Sequence, residues 1–148
     1  MVVESFGEIK KESRLQFHHI GCLTKNITDS IASYKDTLGF ENVSAVFTIE
    51  EQQVKVCFIE LLHGVNIELI EPMGDNPTLN KILKSNNPYY HVGYTVHNFD
   101  KAIQGLQDKG LYLVNTFHSE AFGQKRCAFL YTSEMHLIEI IENPTEQA

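Results

Sequence analysis

Two histidines and two glutamates sit where they could hold a metal ion. His19 and His91 lie 72 residues apart, and Glu68 and Glu139 lie 71 apart. Each glutamate interrupts an apolar run of strand length, Ile67-Glu68-Leu69-Ile70 and Leu137-Ile138-Glu139-Ile140-Ile141. A carboxylate among buried aliphatic groups is costly unless it is paired or bound to a cation. Each histidine is followed two residues later by a glycine, Gly21 or Gly93, on the same face of a strand. A glycine there leaves room for a ligand. Two neutral imidazoles and two carboxylates form a mixed nitrogen and oxygen set that suits Zn, Ni, Co, Mn or Fe(II), with positions left for water or substrate. One strand histidine alone is more often a packing residue. What favours a metal is that all four residues obey one repeat.

That repeat organises the chain. At an offset of 71, Phe58 matches Phe129, Ile67 matches Ile138, Ile70 matches Ile141, Glu71 matches Glu142 and Gly39 matches Gly110. Earlier in each half the offset is 72, matching Asn26 to Asn98, Ile31 to Ile103 and Asp36 to Asp108. One residue has slipped between a helix and the turn after it. The chain reads as two copies of one module.

Phe17 to Leu23 reads as a strand, and Asn26 or Thr28 starts a helix running to Leu38, with Gly39 as its stop. Phe40 to Ile49 and Gln53 to Leu61 read as strands, the second with Val54, Val56 and Phe58 on one face, and Ile67 to Glu71 closes the module. Each module is therefore βαβββ, and the fold class is α+β. Residues 17–148 form a single domain, with module 1 at about 17–72, a linker at 73–88 and module 2 at about 89–143. In module 2, Tyr90 to Val96, Leu111 to Phe117, Arg126 to Tyr131 and His136 to Glu142 read as strands, and Asp100 to Lys109 as the helix. Residues 1–16 read as an N-terminal tail outside the repeat. His18, His63, Tyr90, His97, His118 and His136 read as surface or packing residues, and Glu71 and Glu142 as solvated strand ends.

The 148 residues suit one ordinary domain. A formal charge of −7 argues against general nucleic-acid or anionic-membrane binding. No apolar run approaches the roughly 18 residues of a membrane span, and there is no signal-peptide pattern at the N-terminus. Three cysteines, Cys22, Cys57 and Cys127, form no CxxC pair. An odd, unpaired set points to reduced thiols and a cytoplasmic protein.

The segments Phe17-His18-His19-Ile20-Gly21, Asn66-Ile67-Glu68-Leu69, Tyr90-His91-Val92-Gly93 and Leu137-Ile138-Glu139-Ile140 resemble the ligand-bearing strands of the vicinal oxygen chelate (VOC) superfamily. The resemblance covers about Phe17 to Asn143. It implies two tandem βαβββ modules pairing into a cup-shaped mixed sheet, the glyoxalase/bleomycin resistance/dioxygenase fold, around one divalent metal ion (Co, Ni, Zn or Mn). The implied ligands are His19, Glu68, His91 and Glu139. Within the superfamily the chain is most similar to the methylmalonyl-CoA epimerase and glyoxalase I branch. Glu51-Gln52-Gln53-Val54 resembles the epimerases' Glu-Gln-Gly-Val, with Gln53 in the glycine's place, and puts Glu51 where they carry a second base. Glu71-Pro72-Met73-Gly74 and Gly123-Gln124-Lys125-Arg126 also resemble epimerase segments.

The implied chemistry is proton abstraction next to a thioester or ketone carbonyl, through a metal-stabilised enolate or enediolate. Glu139 would be both ligand and base, and Glu51 the acid/base on the opposite face. Lys125 and Arg126 are candidates to meet the phosphates of an acyl-CoA. Glyoxalase I, acting on a methylglyoxal thiohemiacetal of glutathione or another thiol, is the alternative. An Fe(II) dioxygenase is disfavoured by a fourth ligand, and a drug-sequestering resistance protein by the complete ligand set. Both modules in one chain complete the site, so a homodimer would be an addition.

Overall fold

A computed structural model describes residues 15–143. Eight strands form one curled mixed sheet: β1 (Gln16–Leu23), β2 (Phe47–Ile49), β3 (Val54–Leu62), β4 (Val65–Pro72), β5 (Tyr89–Val96), β6 (Tyr112–Ser119), β7 (Lys125–Tyr131) and β8 (Leu137–Glu142). Their order across the sheet is β2-β3-β4-β1-β5-β8-β7-β6. The second half mirrors the first, with β1 and β5 antiparallel at the seam and a parallel neighbour outside each, β4 and β8. This is the pairing of two modules that the repeat requires. The expected tail lies outside the described residues as far as 14. Leu15 packs on the core, and Gln16 already belongs to β1.

Period-two alternation sorts the side chains. On the convex face, Cys22, Cys57, Ile59, Ile67 and Leu69 pack under α1 (Ile27–Ala32), and Ala128, Leu130, Ile138 and Ile140 pack under α3 (Phe99–Asp108). The concave face carries Val54, Val56 and Ile70 in module 1, and Phe117, Cys127, Phe129 and Ile141 in module 2. The linker forms α2 (Pro77–Lys84), whose Leu79 packs into the concave side of module 1. Pro77 suits a first helical turn, where its missing N–H costs nothing. All three cysteines are buried and free. Among the described residues, no helix is long and apolar enough to cross a membrane.

The repeated asparagines are helix caps. The Asn26 side chain accepts from the Asp29 amide, and that of Asn98 from the Lys101 amide. The slip from 72 to 71 also has a structural cause. In module 1 the helix continues past Ala32 as a π-helical turn, Ser33–Thr37, while α3 ends in an ordinary turn. A π-turn holds one more residue than an α-turn.

Two expectations need correcting. Phe40 to Ile49 is not one strand: only Phe47–Ile49 pairs regularly with β3. Upstream, Val43 makes an isolated bridge to Ile59, and the Ser44 hydroxyl accepts the Phe58 amide, which interrupts the ladder. Nor are Glu71 and Glu142 merely solvated. Glu71 accepts the Ile27 amide at the start of α1, and Glu142 pairs with Arg126 at 2.8 Å. Their repetition reflects a fastening in each module.

Candidate metal centre

The four central strands each deliver one residue to the concave floor. β1 brings His19, β5 His91, β4 Glu68 and β8 Glu139, and all four are buried. The His19 and His91 Nε2 atoms lie 2.9 Å apart. Glu68 Oε1 is 3.2 Å from both, and Glu139 Oε1 is 3.1 Å from His19 and 3.4 Å from His91. All four residues come from one chain, and their ligand atoms lie within 4.8 Å of one another. Neighbouring ligands around an ion with bonds of about 2.0–2.2 Å stand roughly 3 Å apart, so the cluster could hold a metal ion. Glu139 Oε1 is buried with only the two imidazole nitrogens beside it, so it is an acceptor that a cation in the cluster would meet.

The glycines serve differently from expectation. Register places His19 opposite Gly93 and Gly21 opposite His91. A Cβ on Gly93 would stand 2.1 Å from His19 Cε1, and one on Gly21 would stand 2.5 Å from His91 Cε1. Each glycine makes room for the histidine of the other module, not for a ligand.

Charge balance explains the electrostatics. Burial alone would lower the His19 pKa, but Glu68, helped by Glu139, raises it to about 10. His91 is also raised against burial, by Glu139 and Glu68. Burial would raise both glutamates, and the imidazoles bring them below the usual carboxylate range. Two buried negative charges thus demand positive charge, from imidazolium protons or from one divalent cation. Metal uptake should therefore release protons, and affinity should climb as pH rises from 6.5 towards about 10. The sign for the metal-stripped protein is the reverse. The His19 contribution to stability is complete below 6.5 and is lost as pH rises through about 10. Thermal melts of stripped and loaded protein across that window should diverge with rising pH, and converging curves would contradict this balance.

Above the cluster is a chamber of about 40 Å³, lined by Glu68, His91 and Glu139 with Val56, Ile70 and Phe129. It widens into a mouth of about 250 Å³ that shares Gln52, Leu79, Tyr90 and Phe129 with it and adds Asn76, Asn115 and Tyr131. The far side is shut. Phe122, in the 3-10 turn Glu120–Phe122, stacks on His19 at 6.2 Å and meets Phe58 at 5.3 Å.

The remaining sequence candidates fall elsewhere. Glu51 is exposed in the 3-10 turn Glu50–Gln52, and its neighbour Gln52 faces the chamber. Gln53 takes φ +53°, the left-handed conformation that a glycine adopts freely. Arg126 does not line the chamber or its mouth. It alternates with Cys127 and Phe129 onto the convex face, bonds Asp100 of α3 at 2.9 Å, and stacks 4.7 Å above Phe99. Lys125 has the concave parity but does not line the chamber or its mouth. Sequence reasoning missed Ser119, whose buried hydroxyl has no partner and lines the chamber. Its one signal was sharing strand parity with Phe117. It also missed His18, whose Nδ1 lies 2.8 Å from His19 Nδ1.

Residues 18–131 match the sequence family described as the Glyoxalase/Bleomycin resistance protein/Dioxygenase superfamily. The chain belongs to that superfamily. A relative, the mitochondrial methylmalonyl-CoA epimerase of Dictyostelium discoideum, is 25% identical over 131 residues, covering 86% of this chain and 78% of its own. Among solved structures, the fold is similar to methylmalonyl-CoA epimerase from Mycobacterium tuberculosis, with a TM-score of 0.81 and 18% identity over 94% of this chain and 95% of that one. It is also similar to a Streptomyces coelicolor methylmalonyl-CoA epimerase in complex with 2-nitronate-propionyl-CoA, with a TM-score of 0.75 and 22% identity over 88% and 99% of the two chains. These likenesses fix the superfamily fold of the chain.

Proposed function

We propose that this chain is a metal-dependent isomerase of acyl thioesters, similar to methylmalonyl-CoA epimerase, that removes and returns a proton next to the carbonyl. The observation that carries the reading is a buried His₂Glu₂ cluster under a small chamber. His19, Glu68, His91 and Glu139 would hold a divalent ion of Co, Ni, Zn or Mn, which supplies positive charge for an enolate oxygen. Glu139 then takes the α-proton as general base. The chamber of about 40 Å³ suits a short acyl group and excludes its carrier. The mouth offers the amides of Gln52 and Asn115 and the hydroxyls of Tyr90 and Tyr131. Those groups suit the neutral, amide-bearing arm of coenzyme A.

Inversion needs a proton donor on the other face of the enolate. Glu51 is the proposed donor, in the turn that also places Gln52 at the chamber. Reaching the substrate from its exposed position requires that turn to move.

The test is proton NMR in D2O with methylmalonyl-CoA, using Co- or Ni-loaded protein and a metal-stripped control. Metal-dependent loss of the α-proton signal with interconversion of epimers supports the reading. No exchange beyond the control overturns it, and thiohemiacetals of methylglyoxal are then the substrates for the same sample. Glu51→Gln should keep normal metal content and α-proton exchange from one epimer while losing inversion. Unchanged inversion would remove Glu51 from the mechanism.

A further inference from the structure

The seam between β1 and β5 carries two bulges, one in each module. Between Phe17 and His19 the register skips a residue, leaving His18 without a partner on β5, and between Gly21 and Cys22 it skips Tyr90 on β5. A bulge re-aims the extra side chain and breaks strict alternation. Here it brings each extra residue against the neighbouring histidine. The His18 and His19 rings meet edge-on at 5.1 Å, and those of Tyr90 and His91 at 5.0 Å. The two modules then differ in chemistry. His18 presents a ring nitrogen 2.8 Å from His19 Nδ1. Tyr90 presents only the face or edge of a phenol, and His91 Nδ1 is buried with no partner.

His19 Nε2 faces the other three members of the cluster. To offer a lone pair there, His19 must carry its proton on Nδ1, and the nearest acceptor is His18 Nδ1. Phe58 and Phe122 hold the His18 ring at 5.8 Å and 5.4 Å, and the Asn66 amide donates to the His18 carbonyl, so the bulge is pinned through both side chain and backbone.

We propose that His18 is a positioning residue for the metal centre, accepting the Nδ1–H of His19 so that Nε2 is locked towards the ion. The inference rests on the metal reading above. It makes the two imidazoles unequal: His19 is the oriented ligand, and His91 is held by packing alone. Outer partners of ligating histidines are commonly worth about 10–100-fold in metal affinity.

The experiment is a zinc titration against a competing chelator on the full chain, for wild type, His18→Phe and His18→Asn, with thermal melts of the three stripped proteins. Phenylalanine keeps the ring's bulk without the acceptor. Asparagine keeps an acceptor atom at the same distance along the side chain. The Phe variant should bind zinc about 10–100-fold more weakly, the Asn variant close to wild type, and the three stripped proteins should melt alike. Equal affinity in the Phe variant, or an Asn variant as weak as it, overturns the proposal. Imidazole ¹⁵N spectra of zinc-loaded wild type give a second readout, independent of any variant's folding. They should show His19 protonated on Nδ1 with that proton protected from exchange, and protonation on Nε2 would overturn the role of His18. If wild type takes up no zinc, the metal reading itself falls, a result distinct from metal binding that ignores His18.

Discussion

Glu139→Gln should slow α-proton exchange by about 10²–10⁴-fold at saturating metal, the range a positioned general base contributes, and Glu68→Gln should cost far less. The two glutamates are equivalents under the repeat, both buried and both lining the chamber. Each substitution keeps a ligating oxygen and removes one negative charge, so both variants should lose comparable metal affinity. They differ in the role proposed for them: Glu139 is both ligand and base, and Glu68 a ligand alone. Each Oε1 lies within 3.4 Å of both imidazole nitrogens, so their surroundings alone do not separate them. The comparison is made by D2O exchange on both variants, each titrated with metal until exchange no longer rises. Equal rates in the two would mean that Glu139 has no special role and that the defect is only electrostatic.

Gly93→Ala should all but abolish metal binding, with a loss in affinity well beyond about 100-fold, larger than the loss of an outer partner. The added methyl would overlap the His19 ring, standing 2.1 Å from Cε1 and 2.6 Å from Nε2. The ring has no room to retreat: His19 is 0% exposed and is bounded by His18, Phe58 and Phe122. Overpacking of this kind typically costs about 1–3 kcal/mol of stability, less than is needed to unfold most domains. Metal content measured on the purified variant, with a thermal melt beside it, reads both effects. Full metal occupancy with wild-type affinity would show that the seam between β1 and β5 can open enough to absorb a methyl group, and that the glycines are not required by the close approach of the rings.

The ligand cluster was legible because the repeat is kept to the residue along the strands. Strand alternation then puts His19, Glu68, His91 and Glu139 on one face, and a pseudo-twofold brings them together. Arg126 was legible in principle from the same alternation, since Phe129 is inward and Arg126 lies an odd number of residues away. Its place in a segment resembling a binding loop masked this. The 3-10 turn before β3 could not be read. The repeat aligns Glu51 with Phe122, which does reach the cluster, yet Gln52 is the residue that faces the chamber. Which side chain of a three-residue turn points inward depends on the dihedral angles at each end, and those follow from packing against Asn76, whose amide donates to the Gln52 and Gln53 carbonyls. His18 was invisible for a related reason. A bulge breaks the alternation from which orientation is inferred, and nothing in the residue order marks where the break falls.

The π-turn at Ser33–Thr37 shows where this chain tolerates a change in length. An extra residue inside a strand turns every later side chain to the opposite face unless a bulge absorbs it, as at His18 and Tyr90. Had the surplus residue of module 1 entered a strand that lines the floor without such a bulge, a glutamate or histidine would have been turned out of the cup. Placed at the end of a helix, it is absorbed as a wider loop of backbone, and Gly39 with the strands behind it keeps its phase. The convex helices thus act as length buffers for the concave sheet. Insertions and deletions can accumulate on the outside of the cup while the geometry of its floor is passed on unchanged.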